Sequence, residues 1–276
     1  MFDEYRGYEE LVLTDDQICD LYSGNPDVTF GLLQNEYLIA RDSSGNDIGI
    51  FALGDRGFRK IQFKSVGNRH TGKIKPRNIQ QQMAIDMLLD EHMTVKILTG
   101  CFGSGKDIMM CSAAVDLLEH NRFRKIVYVR NNIEVKNSNP IGHLPGTFNE
   151  KMLPFAMPLA DHLGGIEGLQ TMMDMDKIEI VHLGFLRGRD IRDSIVICSE
   201  AENMTKEHIQ LLLGRIGIGS ELWINGDFRQ CDAKVFEQNN GLMIAVDRLK
   251  GHPKFGYVML QKTERSETAA MADLLD

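Results

Sequence analysis

The sequence predicts an α/β protein with a mainly parallel sheet, preceded by a small β-rich accessory domain. Three observations lead there. After Pro76, short apolar runs alternate with helical stretches, the pattern of strands joined by crossover helices. Two of those runs end in acidic clusters, Ser199-Glu200-Ala201-Glu202-Asn203 and Gly226-Asp227, at the carboxyl ends of strands, where such sheets bind ligands. A third runs into Gly100-Cys101-Phe102-Gly103-Ser104-Gly105-Lys106-Asp107, a glycine-rich loop that opens directly into a helix.

The elements follow in order. Thr14, Asp15 and Asp16 cap a short helix over Gln17 to Leu21. Phe30 to Leu33 and Tyr37 to Ala40 read as strands, and Ser43 to Asp47 is a turn cluster that returns through a second arm, Ile48 to Leu53. Residues 1–66 form the accessory domain, 67–75 a basic linker rich in Gly, Lys and Asn, and 76–276 the main domain. Within the latter, helices are expected over Ile79–Leu89, Ile108–Glu119, Lys151–Leu163 and Lys206–Arg215. Strands are expected over Val95–Leu98, Ile126–Val129, Ile178–Leu183, Ile195–Cys198 and Glu221–Asn225.

With 276 residues and 43% hydrophobic content, the chain buries a full core, and neither a collagenous nor a disordered class fits. It has no apolar run of about 18 residues and no basic, apolar leader, so a cytoplasmic protein without a membrane partner is expected. Five scattered cysteines without a CxxC pair predict neither zinc nor disulfides. The net charge of −8 is uneven: Arg56 to Arg77 carries +8 and no acid, leaving −16 to the remainder. Such a segment either contacts a polyanion locally or packs as a basic linker on the acidic main domain. Phe58 and Phe63, its only aromatic side chains apart from His70, either stack on bases or face inward from a strand.

The loop at Gly100 matches GxxxxGK, a cradle whose backbone N–H groups crowd around phosphate oxygens while Lys106 reaches the outer phosphates. Thr or Ser should follow the lysine, but Asp107 stands there. Phosphate-loop enzymes usually end the Ile195–Cys198 strand in a magnesium-binding Asp, followed by a Glu that activates water. Here the positions hold Ser199 and Glu200, so the hydroxyl and the carboxylate have exchanged places. The pair conserves charge and oxygen donors, which predicts Asp107 as the anionic magnesium ligand and Ser199 as its neutral partner. Without metal, Asp107 repels phosphate by about 4 kcal/mol for unit charges at about 4 Å and a dielectric of about 20. Alternatively, both residues drifted after hydrolysis was lost.

Further motifs surround these. Lys75-Pro76-Arg77-Asn78 with Gln81 and Ala84 precedes the loop. Arg130, Ile141-Gly142-His143-Leu144-Pro145-Gly146, Glu150-Lys151 and Arg187-Gly188-Arg189 follow it. Ser199 to Asn203 stands for Asp-Glu-Ala-Gln-Asn, and Asn225-Gly226-Asp227 with Gln230 for Thr-Gly-Asp-x-x-Gln; Asn240-Gly241-Leu242 and Glu264-Arg265-Ser266-Glu267 complete the series. From about Lys75 to Thr268 the chain resembles the PhoH family of phosphate-loop ATPases, in particular the ATPase half of members that carry a PIN nuclease domain. It departs from the family at Asp107, Ser199, Glu202 and Asn131.

The resemblance implies a RecA-like core, hydrolysis of ATP with Mg2+, handling of single-stranded RNA, and a ring, expected as a hexamer. No nuclease domain fits in front of the accessory segment, so RNA cleavage would come from a partner. In the site it implies, Gly100, Cys101, Phe102, Gly103, Ser104, Gly105, Lys106 and Asp107 hold the nucleotide while Gln81 reads the adenine edge. Glu200 polarises the attacking water, and Asp227 and Gln230 sense the γ-phosphate. Arg215 and Arg265 are candidate phosphate fingers, in cis or from a ring neighbour, with Arg187, Arg189 and Arg192 as an alternative source or an RNA contact. Two rival readings are a hydrolysis-deficient, nucleotide-gated RNA-binding module and a small-molecule kinase.

Overall fold

The computed structural model describes residues 5–130, 153–228, 230 and 240–264, without the side chains of Pro154 and Phe155. The accessory part is a four-stranded sheet of β1 (Tyr8–Val12), β2 (Tyr37–Arg41), β3 (Asp47–Gly54) and β4 (Gly57–Lys60) in that order. β1 and β2 are parallel, whereas the other pairs are antiparallel. Helix α1 (Asp15–Tyr22) crosses between β1 and β2 and begins at a capping box. Its two bonds run from Gln17 N–H to Thr14 Oγ1 and from Thr14 N–H to Gln17 Oε1.

Phe30 to Leu33 is a turn, not the expected strand. Phe30 and Gly31 have φ of 51° and 82°, and Leu32 N–H bonds the Thr29 carbonyl. The run is apolar because it packs: Phe30 stacks on Phe58 of β4 at 5.5 Å between ring centres. Phe58 is thus an inward-facing strand residue, while Phe63 is exposed. Within the stretch expected to be a linker, β5 (Val66–Asn68) and β6 (Gly72–Ile74) pair as a hairpin. Asn68 Oδ1 closes its turn by accepting the N–H groups of His70 and Thr71.

The main sheet is six-stranded and wholly parallel, in the order β12, β7, β11, β10, β8, β9. Its strands are β7 (Val95–Gly100), β8 (Lys125–Arg130), β9 (Ile178–His182), β10 (Ser194–Ser199), β11 (Glu221–Gly226) and β12 (Phe255–Leu260). Its helices are α2 (Ile79–Leu88), α3 (Lys106–Glu119), α4 (Met157–Ala160), α5 (Ile166–Asp174), α6 (Lys206–Leu213) and α7 (Gly241–Leu249). The long helix expected over 151–163 is, in its described part, a 3-10 turn at Leu153–Ala156 followed by the single turn of α4. Strands β1, β4 and β12 and helices α5 and α7 went unread in the sequence.

Period-2 alternation sends successive residues to opposite faces. Leu98, Ile195, Ile197 and Trp223 meet Met83, Met87, Met109 and Ala113 of α2 and α3. Ile97, Val196, Leu222 and Ile224 meet Ile209, Leu212 and Leu242 of α6 and α7. The first cluster continues without a break into Tyr37, Ile39 and Ala52 of the accessory sheet. Residues 5–8 run beside β12, where Arg6 O accepts Met259 N–H at 3.0 Å and Tyr8 Oη donates to Gln261 Oε1 at 2.7 Å.

A polar lock joins the two sheets. Asp86 of α2, fully buried, accepts both Arg59 amino groups (3.1 and 2.6 Å), Lys64 Nζ (2.9 Å) and Tyr37 Oη (3.2 Å). Two cations of the basic segment are therefore spent on the acidic main domain, as the linker alternative supposed. Among the described residues, no helix is long and apolar enough to cross a membrane.

Candidate active site

β7 ends at Gly100 and α3 begins at Lys106, so the loop between them directs its N–H groups at the start of a helix. Gly105, the N-cap, has φ of 90°, and a Cβ there would lie 3.0 Å from Gln81 Nε2. Lys106 folds back, its Nζ donating to the carbonyls of Gly100 (3.0 Å) and Cys101 (3.4 Å). Ser104 is buried, and its Oγ has no hydrogen-bond partner among the described residues. Glycine-set geometry, a lysine lying along the loop and an unsatisfied hydroxyl suit a phosphate chain.

Two segments brace this loop. Gln81 accepts Arg77 N–H through Oε1 (2.8 Å) and donates from Nε2 to Ser104 O (2.9 Å). Its amide thus engages backbone at both ends, a role its assignment to the adenine edge did not include. After β12, Thr263 Oγ1 donates to Phe102 O and Glu264 N–H to Gly103 O, both at 2.9 Å. The Glu264 carboxylate accepts Asn78 Nδ2 at 2.7 Å. Between these braces opens a cleft of about 610 Å3, lined by Lys73, Lys75, Arg77, Gln81, Lys106 and Asp107 among others.

The exchanged pair meets. Asp107 Oδ1 lies 3.5 Å from Ser199 Oγ and accepts Asn225 Nδ2 at 2.7 Å. Three elements converge here, namely the start of α3 and the carboxyl ends of β10 and β11. Carboxylate and hydroxyl oxygens are hard donors of the kind magnesium accepts, so the residues fit that ion. Glu200 follows in the left-handed region (φ 58°, ψ 46°), an uncommon conformation for a residue with a side chain and one that concentrates at functional sites. Its backbone N–H donates to Asn225 Oδ1 at 3.3 Å. Its half-exposed carboxylate pairs with Arg130 at the end of β8.

Glu202 is buried behind them, its Oε2 accepting Asp227 N–H at 3.1 Å. Gly226 permits this approach, since a Cβ there would fall 2.6 Å from Glu202 Oε2. Burial pushes the Glu202 carboxyl up to about 7, aided by the charge of Glu200 and opposed by two backbone N–H donors and Lys106. Asp227 accepts Gln230 Nε2 at 2.6 Å, so that predicted pair is assembled beside the same strand end.

Arg215 is not brought here within the chain. Its carbonyl accepts Ile191 N–H at 2.9 Å and its Nη1 donates to Arg189 O at 3.4 Å. Ile191 precedes the start of β10, and a six-residue strand puts about 17 Å between that end and Ser199. Arg189 is spent bidentately on Glu179, and Arg192 on Asp190. Arg265 lies outside the described residues, as do the Gly-x-Leu-Pro-Gly and Glu-Lys motifs. Sequence reasoning gave no role to Asn225, quoted only as a motif position. Its one available signal was a buried amide ending a strand beside the phosphate loop.

Strand β11 separates the loop strand β7 from β10, whose end carries the acidic motif. That order, the loop and the convergent oxygens define a phosphate-loop NTPase with a RecA-like core. The chain belongs to the PhoH family, whose model, described as PhoH-like protein, matches residues 73–274. Protein PhoH2 of Bacillus subtilis (strain 168) is 31% identical over 286 residues, covering 98% of this chain and 64% of the relative. Protein PhoH2 of Mycolicibacterium smegmatis is 34% identical over 217 residues, with coverages of 77% and 49%. The chain thus spans roughly half to two thirds of these relatives' length. Among solved structures, the UvsW helicase from Bacteriophage T4 is similar at a TM-score of 0.41 and 11% identity, over 72% of this chain and 64% of that one. At that score the likeness adds nothing to what the strand order shows.

Proposed function

We propose that this chain binds and hydrolyses ATP with magnesium, and that turnover drives binding, unwinding or remodelling of single-stranded RNA within a ring of subunits. One observation carries the catalytic part: Asp107 and Ser199, exchanged relative to the family's pattern, lie 3.5 Å apart. The fold brings these two positions together in any case, and what favours compensation over drift is that one holds the carboxylate and the other the hydroxyl. In this reading the loop N–H groups and Lys106 hold the phosphates, and Asp107 and Ser199 hold the metal. When bound, magnesium offsets phosphate charge. Glu200 takes the proton of the attacking water once its carboxylate leaves Arg130. Asp227 and Gln230 sense the γ-phosphate, and an arginine finger comes from Arg265 or from a neighbour's Arg215.

The test is ATP turnover with magnesium or manganese, with and without RNA, for wild type, Asp107→Thr, Ser199→Asp and the double change. Turnover impaired by each single change and restored by the double one supports a coupled site. The Arg130–Glu200 ion pair favours a second reading, a nucleotide-gated binding module whose base is held out of use. An inert wild type that the double change activates would establish that reading instead.

A further inference from the structure

We propose that Asn225 is a positioning residue that aims Asp107 at the metal and ties it to Glu200. This rests on the reading of Asp107 as a metal ligand. Asn225 is 2% exposed at the end of β11, where a polar group persists only if its hydrogen bonds are satisfied. Both halves of its amide are committed: Nδ2 donates to Asp107 Oδ1 at 2.7 Å, and Oδ1 accepts Glu200 N–H at 3.3 Å. Those two bonds fix which way the amide faces, because a carboxylate only accepts and a backbone N–H only donates.

Geometry explains why a carboxylate in this position needs such a partner. Asp107 stands on the first turn of α3 and reaches across to the ends of two strands, so its carboxyl plane is not set by its own helix. The amide removes that freedom through Oδ1 and leaves Asp107 Oδ2 outside the bond. Partners behind metal ligands orient them, and losing one typically costs 10- to 100-fold in metal affinity. A threonine in place of Asn225 would carry no amide donor for Asp107. Asp107, Ser199 and Asn225 thus form one constellation. Through the Glu200 N–H, the same side chain also holds the strained turn that presents the water-activating carboxylate.

The probe is Mn2+, titrated by electron paramagnetic resonance into the full chain with a non-hydrolysable ATP analogue. Asn225→Thr is expected to weaken Mn2+ about tenfold while metal-free analogue binding stays as in wild type, measured well below a melting temperature lowered by the lost buried hydrogen bonds. In the Asp107→Thr background, Asn225→Thr is expected to have no further effect. An unchanged Mn2+ affinity in Asn225→Thr overturns the proposal, as does an equal loss in both backgrounds, which would place the residue's action elsewhere. If Asp107→Thr itself leaves Mn2+ affinity unchanged, the metal-ligand reading falls, and this inference with it.

Discussion

Asp86 and Asp107 are both carboxylates that reach across from a helix to other elements, yet their partners differ in kind. Asp86 is matched by the chain's own cations, Arg59 and Lys64, with Tyr37 Oη completing its shell. Asp107 meets a neutral amide and a neutral hydroxyl, and among the described residues no ion pair involves it. A charge that the fold neutralises internally serves the fold. The one left with orienting but uncharged partners is the one we propose to take a cation from outside.

The contrast can be tested from both sides. The largest effect is expected beside Asp107: Glu200→Gln should lower ATP turnover by about 10²- to 10⁴-fold, in steady-state assays, with nucleotide affinity retained. At the lock, Asp86→Asn should lower unfolding free energy by about 2 kcal/mol in urea denaturation. The loss is modest because the Arg59 and Lys64 side chains are 44% and 39% exposed and their pairing is screened. Asp107→Asn should change stability by less than about 1 kcal/mol. If the two aspartates exchange these effects, the comparison fails.

Two titrations sharpen it. Glu202, raised to about 7 chiefly by burial, stabilises the fold most below its unfolded pKa and loses that contribution as pH rises through about 7. Glu202→Gln should therefore be more stable than wild type at pH 8, by about 2 kcal/mol, with the difference gone near pH 4. Asp86 behaves oppositely. Burial raises its carboxyl, but bonds from Arg59 and Lys64 outweigh that and hold it below the usual carboxylate range. Its contribution is present above the unfolded value near 3.9 and lost as pH falls through the folded one. Wild type should lose stability below about pH 4 more steeply than Asp86→Asn, a small difference visible in denaturation midpoints.

Legibility in the sequence followed burial. Val95–Leu98, Ile195–Cys198 and Glu221–Asn225 were readable because both faces of those strands are covered, leaving runs that are apolar apart from Lys96, Glu221 and Asn225. β1 escaped because Glu9 and Glu10 face solvent, and the β5–β6 hairpin because its turn is polar. Phe30–Leu33 misled because apolar residues in a turn pack as well as those in a strand. The exchange of Asp107 and Ser199 showed as two wrong residues at two known places. Asn225 did not, since Asn before Gly-Asp reads as turn chemistry. Arg215 was read as a finger in cis or from a neighbour, and spacing could not choose between them because it does not tell which end of a sheet a loop returns to.

The hydrogen bond from Met259 to Arg6 has a kinetic consequence. Arg6 and Tyr8 are fastened to β12 and Gln261, far along the chain, so residues 5–8 cannot settle until that strand exists. Closing so long a loop is slow relative to local helix formation. During synthesis the flank of β7 that β12 will cover stays bare, and the phosphate loop lacks its brace from Thr263 and Glu264. Nucleotide binding should therefore appear late in folding, together with the docking of residues 5–8 on β12 rather than with the earlier α/β units.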